Sequence, residues 1–249
     1  MRRGQHFLVD DRVAERQVDY ASLTRDDVVL EIGAGKGALT RHLAAAAGHV
    51  VAIEIDAALA IGLENMDNVE LLRRDALAVD FDALEFTKVV ANLPYQISSP
   101  VTFKLLEQDF ELGVLMYQKE FAERLVAVPG SDDYARLSVM AQYAADWELL
   151  ETVSPGAFYP RPRVRSAIVR MTPREPLFSV IDEAVFADVV RALFSHRRKK
   201  IRNGLLAAGL VSRDQLPGVP YVHRRAEDLL PAQLGAVSDA VAVLLREER

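Results

Sequence analysis

Val28-Val29-Leu30-Glu31-Ile32-Gly33-Ala34-Gly35-Lys36-Gly37 decides the fold of this chain. The apolar run Val28 to Glu31 is short enough to be one buried strand. Three alternate glycines follow it, and then a helical pattern from Ala38 to Ala47. Glycine lets the backbone turn sharply and approach a ligand closely, so this order of elements makes a candidate nucleotide cradle. Glu54 closes the next apolar run, 21 residues after Gly33. A carboxylate there can accept hydrogen bonds from both hydroxyls of a ribose. The pair alone would serve a dinucleotide dehydrogenase or an S-adenosylmethionine enzyme. The spacing G-x-G-x-G, rather than G-x-G-x-x-G, argues against NAD. A purely structural glycine turn is the alternative, and the carboxylate spacing argues against that.

Outward from this turn, strand and helix patterns alternate. Val50-Val51-Ala52-Ile53, Val69-Glu70-Leu71-Leu72, Lys88-Val89-Val90-Ala91 and Leu112 to Tyr117 read as further strands. Helical stretches at Val101 to Glu107 and Glu120 to Val126 separate them. The alternation predicts an α/β fold with a parallel sheet covered on both faces. After Trp147 the pattern changes. Trp147 to Val153 and Ser166 to Met171 read as strands joined by a Pro- and Arg-rich loop, whose length suits an antiparallel pair. Pro173 and Pro176 punctuate a boundary, and beyond it only helical patterns remain: Glu183 to Ser195, Lys199 to Ala208, Arg213 to Leu216 and Pro231 to Arg246. The expected organisation is a sheet domain over residues 1–175 and a small all-helical domain over residues 176–249.

Asn92-Leu93-Pro94-Tyr95 follows the fourth strand, at the sheet edge where open α/β folds place ligands. It joins an amide that can accept from an amino group, a rigid proline and an exposed aromatic ring. That set suits holding a flat base by its exocyclic amine and stacking on its face. Asn and Pro are also ordinary turn residues, and Tyr often plugs a core edge. Asp75 follows the third strand and can accept from the amino group of a cofactor's adenine, or simply cap a turn. Gly33, Glu54, Asp75 and Asn92 end successive strands, so all four are expected to converge on one crevice.

With 249 residues, half of them hydrophobic, the chain is long enough for one large or two modest domains with an ample core. It has no cysteine, which excludes disulfides, thiolate metal sites and a cysteine nucleophile, and fits a reducing compartment. No metal site is expected. The N-terminal residues show no apolar signal segment and no run is long enough to span a bilayer, so a cytoplasmic protein is expected. The net formal charge is −6, yet Ser154 to Asn203 holds 11 Lys and Arg against 4 Asp and Glu, a local +7 that leaves −13 elsewhere. One basic region on an acidic body is the footprint of a directed polyanion contact. If Val190 to Leu205 were one helix, Val190, Phe194, Ile201 and Leu205 would share a face with Arg197 in its middle. Either the helix breaks near Ser195-His196, or Arg197 is buried and paired.

Several further motifs accompany these. They are Gly4-Gln5-His6-Phe7-Leu8, Glu54-Ile55-Asp56, Phe158-x-Pro160-x-Pro162-x-Val164-x-Ser166, Phe194 to Asn203, and Arg224-Arg225-Ala226-Glu227-Asp228-Leu229. Together, and in this order nearly end to end, the chain resembles the KsgA-type ribosomal RNA adenine dimethyltransferases. The resemblance implies a Rossmann-like S-adenosylmethionine methyltransferase sheet with a helical C-terminal domain. It also implies dimethylation of two adjacent adenosines in a terminal hairpin of small-subunit rRNA, within a pre-ribosomal small subunit. By resemblance His6 and Leu8 cover the cofactor beside Gly33, Gly35, Glu54, Asp75 and Asn92. Many relatives carry Asn at the position of His6, and the His form is similar to the archaeal branch. Asn92 and the Leu93 carbonyl would accept the amine's two N–H bonds, Pro94 fixes the turn, Tyr95 stacks on the base, and Phe158 closes its other face. Arg198, Lys199, Lys200 and Arg202 would meet rRNA phosphates, and a monomer is expected. Three rivals stay open: a large-subunit rRNA adenine methyltransferase of the resistance type, a non-catalytic RNA-binding assembly factor, and, most distant, a NAD-dependent dehydrogenase.

Overall fold

The computed structural model describes residues 5–247, so Gly4 of the N-terminal motif lies outside the described residues. In chain order the strands are β1 (Phe7–Leu8), β2 (Val28–Ile32), β3 (His49–Ile53), β4 (Val69–Leu72), β5 (Lys88–Asn92), β6 (Leu112–Gln118), β7 (Ala145–Val153), β8 (Phe158–Tyr159) and β9 (Ser166–Pro173). The α-helices are α1 (Asp11–Ala21), α2 (Thr40–Ala46), α3 (Ser98–Leu105), α4 (Lys119–Val126), α5 (Arg136–Ala144), α6 (Glu183–Phe194), α7 (Ile201–Ala207) and α8 (Pro231–Glu247).

Seven strands form one sheet in the order β4-β3-β2-β5-β6-β9-β7. β2 to β6 are mutually parallel, and β9 runs antiparallel to β6. Val89, Val90 and Ala91 of β5 are wholly buried, as a strand covered on both faces requires, which is why that run is continuously apolar. β2 pairs with β3 on one side and β5 on the other, so the chain order reverses there. A crevice opens outside the carboxyl ends of strands at such a reversal. Gly33 stands at the end of one of these two strands and Asn92 at the end of the other.

The chain divides into two compact units. Residues up to 122 together with 146–173 form the first, and 123–145 with 174 onward form the second. The sequence expectation placed 123–145 with the sheet; the structure places it with the helices. The cause lies in a few buried aromatics. The Tyr134 hydroxyl donates to the Leu229 carbonyl at 2.9 Å, and the Tyr143 ring packs 5.2 Å from Phe186 and 5.1 Å from Phe178. Arg174 donates to the carbonyls of Gln142 and Tyr143. Helix α5 is one that the sequence reading did not mark, and neither is α1, although the Asp10 side chain caps α1 by accepting from the Arg12 amide. The expected helix from Arg213 is instead a short 3-10 turn at Leu216–Gly218.

The long basic helix breaks, as one of the two alternatives required: α6 stops at Phe194 and α7 starts at Ile201. Arg197 in the intervening turn is nonetheless anchored. It donates to the Asp132 and Tyr134 carbonyls and lies 3.7 Å from the Glu227 carboxylate. It therefore fastens the turn within the helical unit. Among the described residues no helix is long and apolar enough to cross a membrane.

Candidate active site

The glycine turn after β2 is held by the neighbouring strand: the Gly33 and Ala34 amides both donate to the Ile53 carbonyl, at 2.8 and 3.2 Å. Gly33 has φ +83°, and a Cβ there would stand 3.1 Å from Pro94 Cδ. Backbone conformation and the approach of the Asn92–Tyr95 turn thus both require glycine. Glu54, at the end of β3, is 7% exposed, and its two carboxylate oxygens accept from the Gly35 and Asp56 amides, each at 2.8 Å. These bonds orient the carboxylate and leave each oxygen a further lone pair. Asp75 stands three residues past β4; it is exposed and accepts from the Leu77 amide at 2.9 Å. The turn-capping role and a place at the crevice hold together for this residue.

These residues line one cavity of about 400 Å³, a size that suits a small ligand. Gly33, Gly35, Glu54, Asp75 and Asn92 contribute from the sheet edge. From β5 the wall continues through Leu93, Pro94 and Tyr95, and Phe158 faces them from β8. His6 and Leu8 also line it, carried by β1. β1 reaches that position through an antiparallel ribbon with β8, in the register Phe7 to Tyr159 and Leu8 to Phe158. His6 Nδ1 donates to the Pro160 carbonyl at 2.7 Å, since a carbonyl can only accept, and the Val9 amide donates to Ala157 at 2.8 Å. His6, Leu8 and the aromatic wall at Phe158 are therefore tied together by one ribbon.

The Asn92 side-chain oxygen is buried and has no hydrogen-bond partner among the described residues. A buried acceptor left unpaired costs about 1–3 kcal/mol, so its presence in a cavity wall marks a place for a donor on a ligand. Tyr95 differs from the expected exposed ring: it is half-buried in a 3-10 turn at Tyr95–Ile97, and its hydroxyl pairs with Ser166 Oγ at 2.7 Å. Burial raises the phenol above its ordinary value, the Ser166 hydrogen bond opposes that rise, and the charge of Glu120 adds to it. Below this turn, Thr102 Oγ1 donates to the Ser98 carbonyl at 2.7 Å and lies 2.8 Å from the Tyr117 hydroxyl, which fastens the start of α3.

Three features escaped the sequence reading. Ser166 appeared only within a motif, with no sign that it meets Tyr95. Ile55 lines the cavity yet is 53% exposed. An isoleucine set between Glu54 and Asp56 past a strand end has no core to face, and that was its available signal. Glu31 is 2% exposed with one carboxylate oxygen unpartnered; burial, with the nearby charge of Glu54, pushes its carboxyl up to about 8. In the helical unit Arg198, Lys199 and Lys200 are exposed and Arg202 is half-buried, and none of the four side chains has a partner among the described residues.

The residues present fit S-adenosylmethionine. A buried carboxylate with free lone pairs suits a ribose, an adjoining carboxylate suits an adenine amine, and the glycine turn admits close backbone approach. Comparison with known proteins gives the same direction. Residues 1–222 match the family model described as ribosomal RNA adenine dimethylase. The chain is 47% identical over 247 residues to a probable ribosomal RNA small subunit methyltransferase A from Methanosarcina acetivorans, covering 94% of this chain and 91% of that one. It is 46% identical to the protein of the same description from Methanothermobacter thermautotrophicus, over 96% of this chain and 89% of that one. Among solved structures, a dimethyladenosine transferase from Plasmodium falciparum superposes with a TM-score of 0.82 at 26% identity, over 97% of this chain and 98% of the other. The 23S rRNA methyltransferase ErmE gives 0.69 at 30% identity, over 95% and 99%. The sequence match over most of its length, on a fold whose strand ends build this cavity, makes the chain a member of the ribosomal RNA adenine dimethylase family.

Proposed function

We propose that this protein is an S-adenosylmethionine-dependent rRNA adenine dimethyltransferase acting on small-subunit rRNA. Its target is two adjacent adenosines of a terminal hairpin in a pre-ribosomal small subunit, and it works in the cytoplasm as a monomer. The observation that carries this reading is the buried, unpartnered Asn92 oxygen at the end of β5, in a cavity walled by Tyr95 and Phe158.

Bound S-adenosylmethionine supplies a methyl group made electrophilic by its sulfonium. Glu54 would take its ribose hydroxyls, Asp75 its adenine amine, Gly33 and Gly35 its close backbone contacts, and His6 and Leu8 its cover. The remaining problem is the acceptor, because the 6-amino lone pair of adenine is delocalised into the ring. Asn92 Oδ1 and the Leu93 carbonyl accept its two N–H bonds and favour a localised lone pair. Pro94 fixes the turn and removes a competing donor. Tyr95 and Phe158 sandwich the base, which offsets part of the few kcal/mol needed to unstack it. An amide suffices at position 92 because the amine becomes acidic as it is alkylated and water can take its proton. Positioning supplies most of the rate. Arg198, Lys199, Lys200 and Arg202 hold phosphates, which set register without reading sequence.

The test is to incubate the protein with labelled S-adenosylmethionine and unmodified small subunits, beside large subunits and naked rRNA, and map the methylated bases. Dimethyladenosine at two adjacent positions in small subunits alone is the expected result. Label in large-subunit rRNA would overturn the substrate assignment, and no label anywhere would overturn the enzyme.

A further inference from the structure

Between β8 and β9 the chain runs Pro160-Arg161-Pro162-Arg163-Val164-Arg165, and the chemistry above uses none of the three arginines. Their arrangement is regular. Phe158 is buried in the cavity wall, whereas Tyr159, the next residue, is 67% exposed. Arg161, Arg163 and Arg165 are exposed in turn, and Pro162 between them is buried. Tyr159 and the three arginines are therefore all exposed within seven consecutive residues, which form an outer ledge of this connection.

That ledge is held in place. The Pro160 carbonyl accepts from His6, the Arg165 carbonyl accepts from the Lys119 amide at 2.9 Å, and prolines at 160 and 162 restrict the backbone between. Five of the seven tyrosines spend their hydroxyls inside the protein, on Glu151, Ser166, Thr102, the Leu229 carbonyl and Glu183. Tyr159 does not. Neither its hydroxyl nor any of the three guanidinium groups has a hydrogen-bond or ion-pair partner among the described residues. An aromatic face followed by evenly spaced cations is the chemistry that tracks a single nucleic-acid strand: the ring stacks on a base of any identity, and the cations follow the phosphates.

We propose that Tyr159 and Arg161, Arg163 and Arg165 form a second nucleobase subsite. Tyr159 stacks on the base next to the one inside the cavity, and the arginines hold the phosphates of the same unpaired strand. This rests on the methyltransferase reading, and it supplies a place for the neighbour of a target base once the helix around it has opened. An acidic peptide would use the cations but leave the ring idle, so the nucleic acid is favoured.

Two readouts on the full chain test it. In the first, methylation of unmodified small subunits is followed for Tyr159→Ala, Tyr159→Phe and wild type, with S-adenosylhomocysteine affinity measured in parallel. Tyr159→Ala is expected to lower kcat/KM by about 10-fold, and Tyr159→Phe to restore it, with cofactor-product affinity unchanged. Arg161→Ala with Arg163→Ala is expected to reduce the salt slope of substrate binding by about 0.7 for each phosphate no longer neutralised on the unpaired strand. In the second, a short single-stranded RNA carries 2-aminopurine beside an adenosine. Its fluorescence is expected to be quenched by wild type and Tyr159→Phe but not by Tyr159→Ala. Wild-type kcat/KM and wild-type quenching in Tyr159→Ala would overturn the subsite and leave the methyltransferase standing. Tyr159-dependent quenching without methylation of any subunit would overturn the methyltransferase and support the ledge as a single-strand site. Binding of a polyglutamate peptide that displaces the RNA from the arginines without sensing Tyr159 would overturn the nucleobase assignment.

Discussion

Removing the Ser166 hydroxyl tests whether the cavity works by holding Tyr95 at a fixed orientation. Ser166 is fully buried at the start of β9, and its Oγ lies 2.7 Å from the Tyr95 hydroxyl. Ser166→Ala deletes one atom and leaves the phenol without its protein partner. A neutral hydrogen bond of this kind contributes about 0.5–1.5 kcal/mol net. If that energy is used to hold the ring against the acceptor base, it is lost from the transition state. At about 1.36 kcal/mol per decade, kcat should then fall between about 2-fold and about 13-fold. The affinity for S-adenosylhomocysteine should not move, because the Glu54 and Gly33 contacts lie on other strands.

The same bond can be cut from its other end. Tyr95→Phe should lose a similar factor, and the double variant no more than either single one, since both remove one interaction. A spectroscopic readout separates this from general loosening. Ser166 holds the Tyr95 phenol down against burial, so in Ser166→Ala its tyrosinate absorbance should appear at higher pH, identified by its absence from the double variant. Unchanged kcat in Ser166→Ala would refute the reasoning. So would a double variant whose loss is the product of the two single losses, because the two hydroxyls would then act independently.

Three further outcomes follow from buried or anchored charges. The Glu31 carboxyl is raised by burial to about 8, so between its unfolded value near 4.5 and about 8 the folded state binds the extra proton and stability falls as pH rises. Glu31→Gln should flatten that slope in melts across pH 5 to 8, with the largest gain over wild type at the alkaline end. Lys88 donates to Asp27 and to the Ser22 carbonyl, each at 3.1 Å, in a nearly closed site. Lys88→Met should cost about 3–5 kcal/mol in urea unfolding at neutral pH by stranding the carboxylate, and Lys88→Met with Asp27→Asn should recover much of it. Burial works to raise the Asp27 carboxyl, but the Thr24 amide, Lys88 and the Thr87 and Thr24 hydroxyls together hold it below the usual range. Its stabilisation is therefore full above about pH 4 and lost as pH falls further, and Lys88→Met should blunt that acid sensitivity. Arg197→Met should lower the melting temperature without changing the salt dependence of RNA binding. Arg198→Met should do the reverse, reducing the slope by about 1, and equal slopes for both variants would count against the division of labour.

Why some of this was readable from sequence and some was not comes down to which interactions are local. Val28 to Gly37 reports its own conformation: a run buried on both faces must be apolar, and a backbone at φ +83° pressed by Pro94 must be glycine. Parallel βα order then sends successive strand ends to one edge, so Gly33, Glu54, Asp75 and Asn92 could be assembled without knowing a single long-range contact. The exceptions all depend on partners far along the chain. β1 is two residues long and carries no periodicity; it exists because Phe7 and Leu8 find Tyr159 and Phe158. Ser166 looks like any strand serine until Tyr95 is placed beside it. α4 follows β6 as the alternation of the sheet domain expects, whereas long-range contacts such as Tyr134 with Leu229 and Tyr143 with Phe186 assign residues 123–145 to the helical unit. Arg197 shows the same limit from the other side. Helical spacing exposed a conflict between its charge and an apolar face, and that conflict had two resolutions that sequence could not separate. The chain broke the helix at Ser195 and still tied the arginine, which stays partly exposed, to carbonyls 63 and 65 residues away. A local rule that fails in this way points to the residue whose partner must be sought elsewhere, which makes the misfit at Arg197 as informative as the matches at Gly33 and Asn92.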